Sequence, residues 1–255
     1  MNTLEKTLSG GGKLIAFIVG GHPTIEKSFE AACDVIESGA DVLEIGLPFS
    51  DPIADGPTIQ KASTKALELG MTPAKYFQLT KKVSSRYDTP IVCLTYYNII
   101  LQYGPAKFAK SCALNGVQGV IVPDLPIEEA GEFISYLKKN RVDFIFLVAE
   151  TTPDDRLKKI SKKASGFIYV VALLGTTGAR KTLYPNLKKL IARIRRHTKT
   201  PLVVGFGIST PQQVADVLSY GADAAIVGSA IVKEVEKQDG KKLRDYVASL
   251  KAASQ

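Results

Sequence analysis

Apolar residues in this chain arrive in short unbroken runs, and between the runs they recur at helical spacing. The runs cover residues 14–19, 42–45, 91–94, 117–122, 144–148, 167–171, 202–204 and 224–227. Each is nearly continuous, not alternating, which is the mark of strands covered on both faces. The segments between them, 25–38, 73–86, 105–115, 126–139, 154–163, 183–197, 211–220 and 235–250, carry one apolar stripe each and are predicted helices. Pro105, Pro126 and Pro211 fit first-turn positions, with Thr210 as a cap. Gly39, Gly116 and Gly221 stand where helices end in a left-handed residue. Regular βα alternation has two main solutions, an open doubly wound sheet or a closed barrel. The count of eight predicts a (β/α)8 TIM barrel, with residues 1–255 as one domain. The loop after the first run reads Gly-Gly-His-Pro and lacks the GxGxxG of a dinucleotide fold.

One charged residue breaks the strand pattern. Glu44 lies one position from the end of the second run, and a Gly- and Pro-rich loop with Asp51 and Asp55 follows at once. Carboxylates seldom enter a buried strand unless paired or employed. In a barrel the active site is built at the C-terminal strand ends, so Glu44 points to the mouth and Asp55 lies in the loop that can fold over it. Two carboxyls in unlike surroundings can divide acid and base work.

Composition narrows the setting. The chain carries 33 Lys+Arg against 25 Asp+Glu, a net charge of +8. The densest basic stretch, residues 181–199, holds Leu183, Leu187, Leu190, Ile191 and Ile194 at helical spacing, so it reads as a solvated helix face. It lacks the aromatic interleaving that stacks bases, and no nucleic-acid partner is expected. No apolar run approaches a membrane span and no signal segment is present, so a cytoplasmic location with no membrane association is expected. Cys33, Cys93 and Cys112 lack metal spacing and read as buried thiols, and His22 and His197 stand too far apart for a metal pair. No metal is expected.

The later loops point to an anionic ligand. Gly205-Phe206-Gly207-Ile208-Ser209 and Gly228-Ser229-Ala230-Ile231 follow the last two strands, and the second opens a helix. Backbone N–H groups there can approach an anion without Cβ obstruction. Strands 7 and 8 carry the recurring phosphate site of such barrels. Gly175-Thr176-Thr177-Gly178 can add donors. The candidate phosphate residues are Gly178, Phe206, Gly207, Gly228 and Ser229, and the expected ligand is a phosphate monoester.

From Phe17 through Gly228-Ser229 the chain resembles the tryptophan synthase α-subunit family. The most specific match is Glu44-Ile-Gly-Leu-Pro-Phe-Ser-Asp-Pro-Ile-Ala-Asp-Gly-Pro-Thr-Ile-Gln60, supported by Pro123-Asp124-Leu125-Pro126, Gly175-Thr176-Thr177-Gly178-Ala179 and Gly205-Phe206-Gly207-Ile208-Ser209. The resemblance implies retro-aldol cleavage of indole-3-glycerol phosphate, with Glu44 moving protons and Asp55 holding the indole N–H. It implies that Phe17 packs on the indole, that Tyr96 lines the pocket and that Tyr169 stands near the glutamate. Thr177 is implied to close over the ligand. It further implies an α2β2 assembly with a β subunit that holds pyridoxal phosphate, no cofactor in this chain, and Asp51 and Asp124 facing the partner. The chain departs from the family pattern at Ala172-Leu173-Leu174, where Ser-Arg is common, and at His22, where aspartate is common. Two other readings stand beside this one: another phosphosugar isomerase or aldolase barrel, and a subunit that chiefly activates its partner.

Overall fold

The computed structural model describes residues 3–171 and 185–255. Eight parallel strands close into a barrel in sequence order. They are β1 (Lys13–Val19), β2 (Val42–Gly46), β3 (Ile91–Leu94), β4 (Val117–Ile121), β5 (Asp143–Val148), β6 (Ile168–Val171), β7 (Leu202–Gly205) and β8 (Ala224–Val227). All eight predicted runs are strands, with edges shifted by a residue at most. Burial on both faces is what the unbroken runs required: β1 is buried from Leu14 to Val19 and β8 throughout.

The helices obey the expected punctuation in most places. Thr210 accepts from the Gln213 N–H at 3.2 Å, and the Gln213 side chain reciprocates, a full capping box on Pro211–Ser219. Gly39, Gly116 and Gly221 all have positive φ. The cysteines are free and buried.

Two expectations need correction. The helix predicted over 126–139 begins at Gly131, so Pro126 is not in its first turn. Residues 127–130 form a separate turn, in which the Glu129 and Ala130 N–H groups both donate to the Pro126 carbonyl at 3.0 Å. The helix predicted over 235–250 is two helices, Ser229–Glu236 and Gly240–Ala252. Gln238 turns left-handed (φ 56°) between them, and Asp239 caps the second through the Lys242 N–H at 3.1 Å. Of the helix predicted over 183–197, the described part is Leu187–Arg195, with Leu187, Leu190, Ile191 and Ile194 buried. Helices Thr3–Leu8, Pro57–Glu68 and Tyr97–Tyr103 were not foreseen.

Thr3–Leu8 closes the N-terminal end of the barrel. Leu4 is fully buried, and a Cβ on Gly119 of β4 would sit 2.8 Å from its Cδ1 and 2.6 Å from Ile145 Cδ1. Gly119 thus gives its side-chain space to the plug, and the floor is solid.

Candidate active site

Strand register sets the first layer of the mouth. Phe17 of β1 pairs with Glu44 of β2, and Glu44 with Val92 of β3, so these side chains share a face of the sheet. Above Glu44, β2 ends in Gly46, where a Cβ would lie 3.0 Å from Phe17 Cζ. At the end of β7, Gly205 likewise yields its space to the ring of Tyr169. Glycine strand ends therefore make room for two aromatic rings around one carboxyl.

Glu44 is 1% exposed, and its Oε2 has no hydrogen-bond partner among the described residues. An orphaned buried carboxyl oxygen is costly, and such costs concentrate where chemistry is done. Burial pushes the Glu44 carboxyl up to about 8, and the neighbouring Asp55 charge pushes the same way. Asp55, 7% exposed, is raised by burial to about 6, while a hydrogen bond from the Tyr96 hydroxyl opposes the rise. At neutral pH the pair holds one proton donor and one anion side by side. Burial, with Glu44 and Asp55 adding to it, drives the Tyr169 phenol far above its ordinary range, so it stays neutral.

Asp55 reaches the mouth because the loop after β2 folds inward and then enters helix Pro57–Glu68, with Pro57 in the first turn. The Gln60 side-chain amide donates to the Asp55 carbonyl at 2.9 Å and steadies the junction. Opposite, β7 is followed by Phe206 and Gly207, both left-handed (φ 71° and 84°). A non-glycine residue there costs on the order of 1–2 kcal/mol. The Phe206 ring, edge-on to Tyr169 with centroids 5.6 Å apart, is what the turn secures. After β8, Gly228 opens helix Ser229–Glu236, and no side chain among the described residues caps that N-terminus. Gly228, Ser229 and Ala230 border the same cleft, and free N–H groups at a helix start favour an anion.

Together these groups line one cleft, open to solvent at the C-terminal strand ends. Phe17, Glu44, Asp55, Tyr169, Phe206, Gly207, Gly228 and Ser229 all border it. Tyr96 does not; it is buried behind Asp55 and bonded to it at 3.1 Å. Asp51 and Asp124 are exposed on the mouth loops; Asp51 accepts from the Ser50 hydroxyl at 2.6 Å, and Asp124 from the Tyr97 N–H. Thr177, Gly178 and Leu173 lie outside the described residues. Leu94, Ile59, Ile208 and Ile226 also line the cavity and were missed. Leu94 was findable: it pairs with Gly46 and so tops the same inward row. Among the described residues no cluster of three His, Cys, Asp or Glu could hold a metal.

A profile of the tryptophan synthase alpha chain family matches residues 4–255. The chain belongs to the tryptophan synthase α-chain family. It is 55% identical to the tryptophan synthase alpha chain of Methanocaldococcus jannaschii over 229 residues, covering 89% of this chain and 81% of that one. The alpha chain of Methanosarcina acetivorans is 45% identical over 94% of this chain and 88% of its own. Among solved structures, one from Aquifex aeolicus superimposes with a TM-score of 0.93 at 35% identity, covering 99% of both chains. A chain of the tryptophan synthase α2β2 complex of Pyrococcus furiosus gives 0.89 at 37% identity, covering 94% of this chain and 98% of that one. The departure at His22 belongs to this α chain's own detail: the residue is 2% exposed, and neither ring nitrogen has a hydrogen-bond partner among the described residues. Burial, aided by Lys65, lowers its pKa. No described helix is long and apolar enough to cross a membrane.

Proposed function

We propose that this chain cleaves indole-3-glycerol phosphate to indole and glyceraldehyde 3-phosphate, and that it does so as the α subunit of a tryptophan synthase. The observation that carries the reading is the buried Glu44 carboxyl beside Asp55, facing an uncapped helix N-terminus across one cavity.

The bond between indole C3 and the side chain breaks only if C3 gains a proton and the adjacent hydroxyl loses one. Glu44, neutral at pH 7 because it is buried, gives its proton to C3. Positive charge then develops on the indole nitrogen, where the ionised Asp55 accepts the N–H and stabilises it. The Glu44 carboxylate so formed takes the hydroxyl proton. The carbonyl forms, the C–C electrons return to the indole ring, and Glu44 ends protonated as it began. Phe17 and Tyr169 supply apolar walls for the ring, and Phe206, Gly207, Gly228 and Ser229 hold the phosphate. Thr177 and Gly178, which the resemblance gives as a residue closing over the ligand and a phosphate contact, lie outside the described residues.

The partner is a β subunit, in an α2β2 assembly like that of the Pyrococcus furiosus relative. That partner would hold the pyridoxal phosphate and receive the released indole, and no residue of this chain is assigned to the cofactor. Asp51 and Asp124, with the 74%-exposed Ile53 beside Asp51, form the docking face. The test is indole release from indole-3-glycerol phosphate by the purified chain, alone and with a β subunit. Release in both, faster with the partner, is expected. Binding of the β subunit with no indole release in either case would favour a subunit that only activates its partner.

A further inference from the structure

Tyr96 follows β3, and its ring is buried against Phe49, centroids 5.2 Å apart and planes 27° from parallel. Its oxygen meets two consecutive residues of the acidic loop: the Ala54 N–H at 3.0 Å and Asp55 Oδ2 at 3.1 Å. The directions of these bonds are fixed. A backbone N–H only donates, so the phenol oxygen accepts from Ala54 and its one proton goes to Asp55. The phenol is held from behind as well. The next N–H, Tyr97, donates to both oxygens of Asp124 at 2.9 and 3.1 Å, pinning the start of helix Tyr97–Tyr103. Burial, with the Asp55 charge adding to it, keeps the phenol protonated far beyond its ordinary range.

We infer that Tyr96 is a positioning residue for Asp55: one hydroxyl fixes the loop backbone at Ala54 and engages Oδ2, leaving Oδ1 to meet the substrate. The inference rests on the role given to Asp55 above. A phenol donating to a carboxylate stabilises its ionised form, so the same bond holds Asp55 anionic where burial would neutralise it. Tyr96 is separated from the cavity by the residue it orients, and its effect on catalysis passes through that carboxyl.

Tyr96→Phe keeps the ring and the stack on Phe49 and removes only the hydroxyl. Two readouts are taken: the titration of ¹³C-labelled aspartate carboxyls by NMR, and steady-state kinetics of indole release. The expected result is a rise of roughly one unit in the Asp55 midpoint. With it should come a fall in kcat of about 10- to 100-fold at pH 7, the loss typical of one hydrogen bond to a charged group, and a KM changed less than about threefold. An unmoved Asp55 midpoint in a variant that melts like the parent overturns the inference. So does a rise in KM without a midpoint shift, which would make Tyr96 a substrate contact. Because the titration needs no turnover, it stands even if Asp55→Asn proves fully active and the role of Asp55 itself fails.

Discussion

The ring and hydroxyl of Tyr169 fill the space into which a side chain on Gly205 would project. The two residues lie on neighbouring strands, β6 and β7, and the contact fixes one wall of the site beside Glu44. Gly205→Ala is therefore expected to displace Tyr169 and cut indole release by at least about 100-fold, with a loss of roughly 1–3 kcal/mol of stability from overpacking. Tyr169→Leu on top of it should return part of that stability. Urea melts of the four variants measure the coupling, and strictly additive losses would disprove the steric account.

Glu44→Gln should abolish turnover, by about 10²- to 10⁴-fold or more, because the amide keeps the shape but cannot carry the proton. Affinity for glycerol phosphate should be unchanged in a calorimetric titration. Activity within tenfold of the parent would remove Glu44 from the chemistry.

The same substitution should stabilise the fold at alkaline pH. Between the ordinary 4.5 and about 8, the folded chain holds a proton on Glu44 that the unfolded chain releases. Stability therefore falls as pH rises through that window, and Asp55, raised from 3.8 to about 6, adds to the fall. For Glu44 the full cost is on the order of 5 kcal/mol. Thermal melts should place Glu44→Gln above the parent at pH 8.5 and level with it near pH 4.5. A gap independent of pH would contradict the buried-acid account.

Rate against pH should show an alkaline limb near 8, where the free enzyme loses the Glu44 proton. The charge on Asp55 helps raise that value, so Asp55→Asn, besides being slow, should move the limb to lower pH. A limb that stays put would mean that Asp55 and Glu44 do not interact.

Gly228→Val tests the anion site without testing the fold. A Cβ at Gly228 would lie 3.5 Å from Phe17 Cδ1, an ordinary contact, so the chain should fold. Glycerol phosphate and substrate should both bind at least tenfold more weakly, since the side chain enters the cavity at the helix N-terminus. Normal affinity in a folded variant would place the phosphate elsewhere.

The barrel was legible in the sequence because strands buried on both faces leave unbroken apolar runs. Glu44 was legible because a charge in such a run is conspicuous. Helix Pro57–Glu68 was overlooked although Pro57 marks its start and Ile59, Ala62, Ser63 and Ala66 trace its buried stripe; the acids before it drew the reading toward a loop. The break at Gln238–Asp239 was also written, in an Asp-Gly pair ahead of a second stripe. Other features had no local signal. That Tyr96 bonds Asp55, 41 positions away, depends on how a loop folds over the neighbouring strand end. That Gly46 and Gly205 serve Phe17 and Tyr169 follows from strand register, which no single run encodes.

Leu4 seated on Gly119 has a consequence for traffic. With Leu4 filling the N-terminal end, the cavity that holds Glu44 and Asp55 lies among the described residues at the C-terminal strand ends, the end whose loops carry Asp51, Ile53 and Asp124. A β subunit docked over that end, as proposed above, would sit on the same end of the barrel at which small molecules reach Glu44.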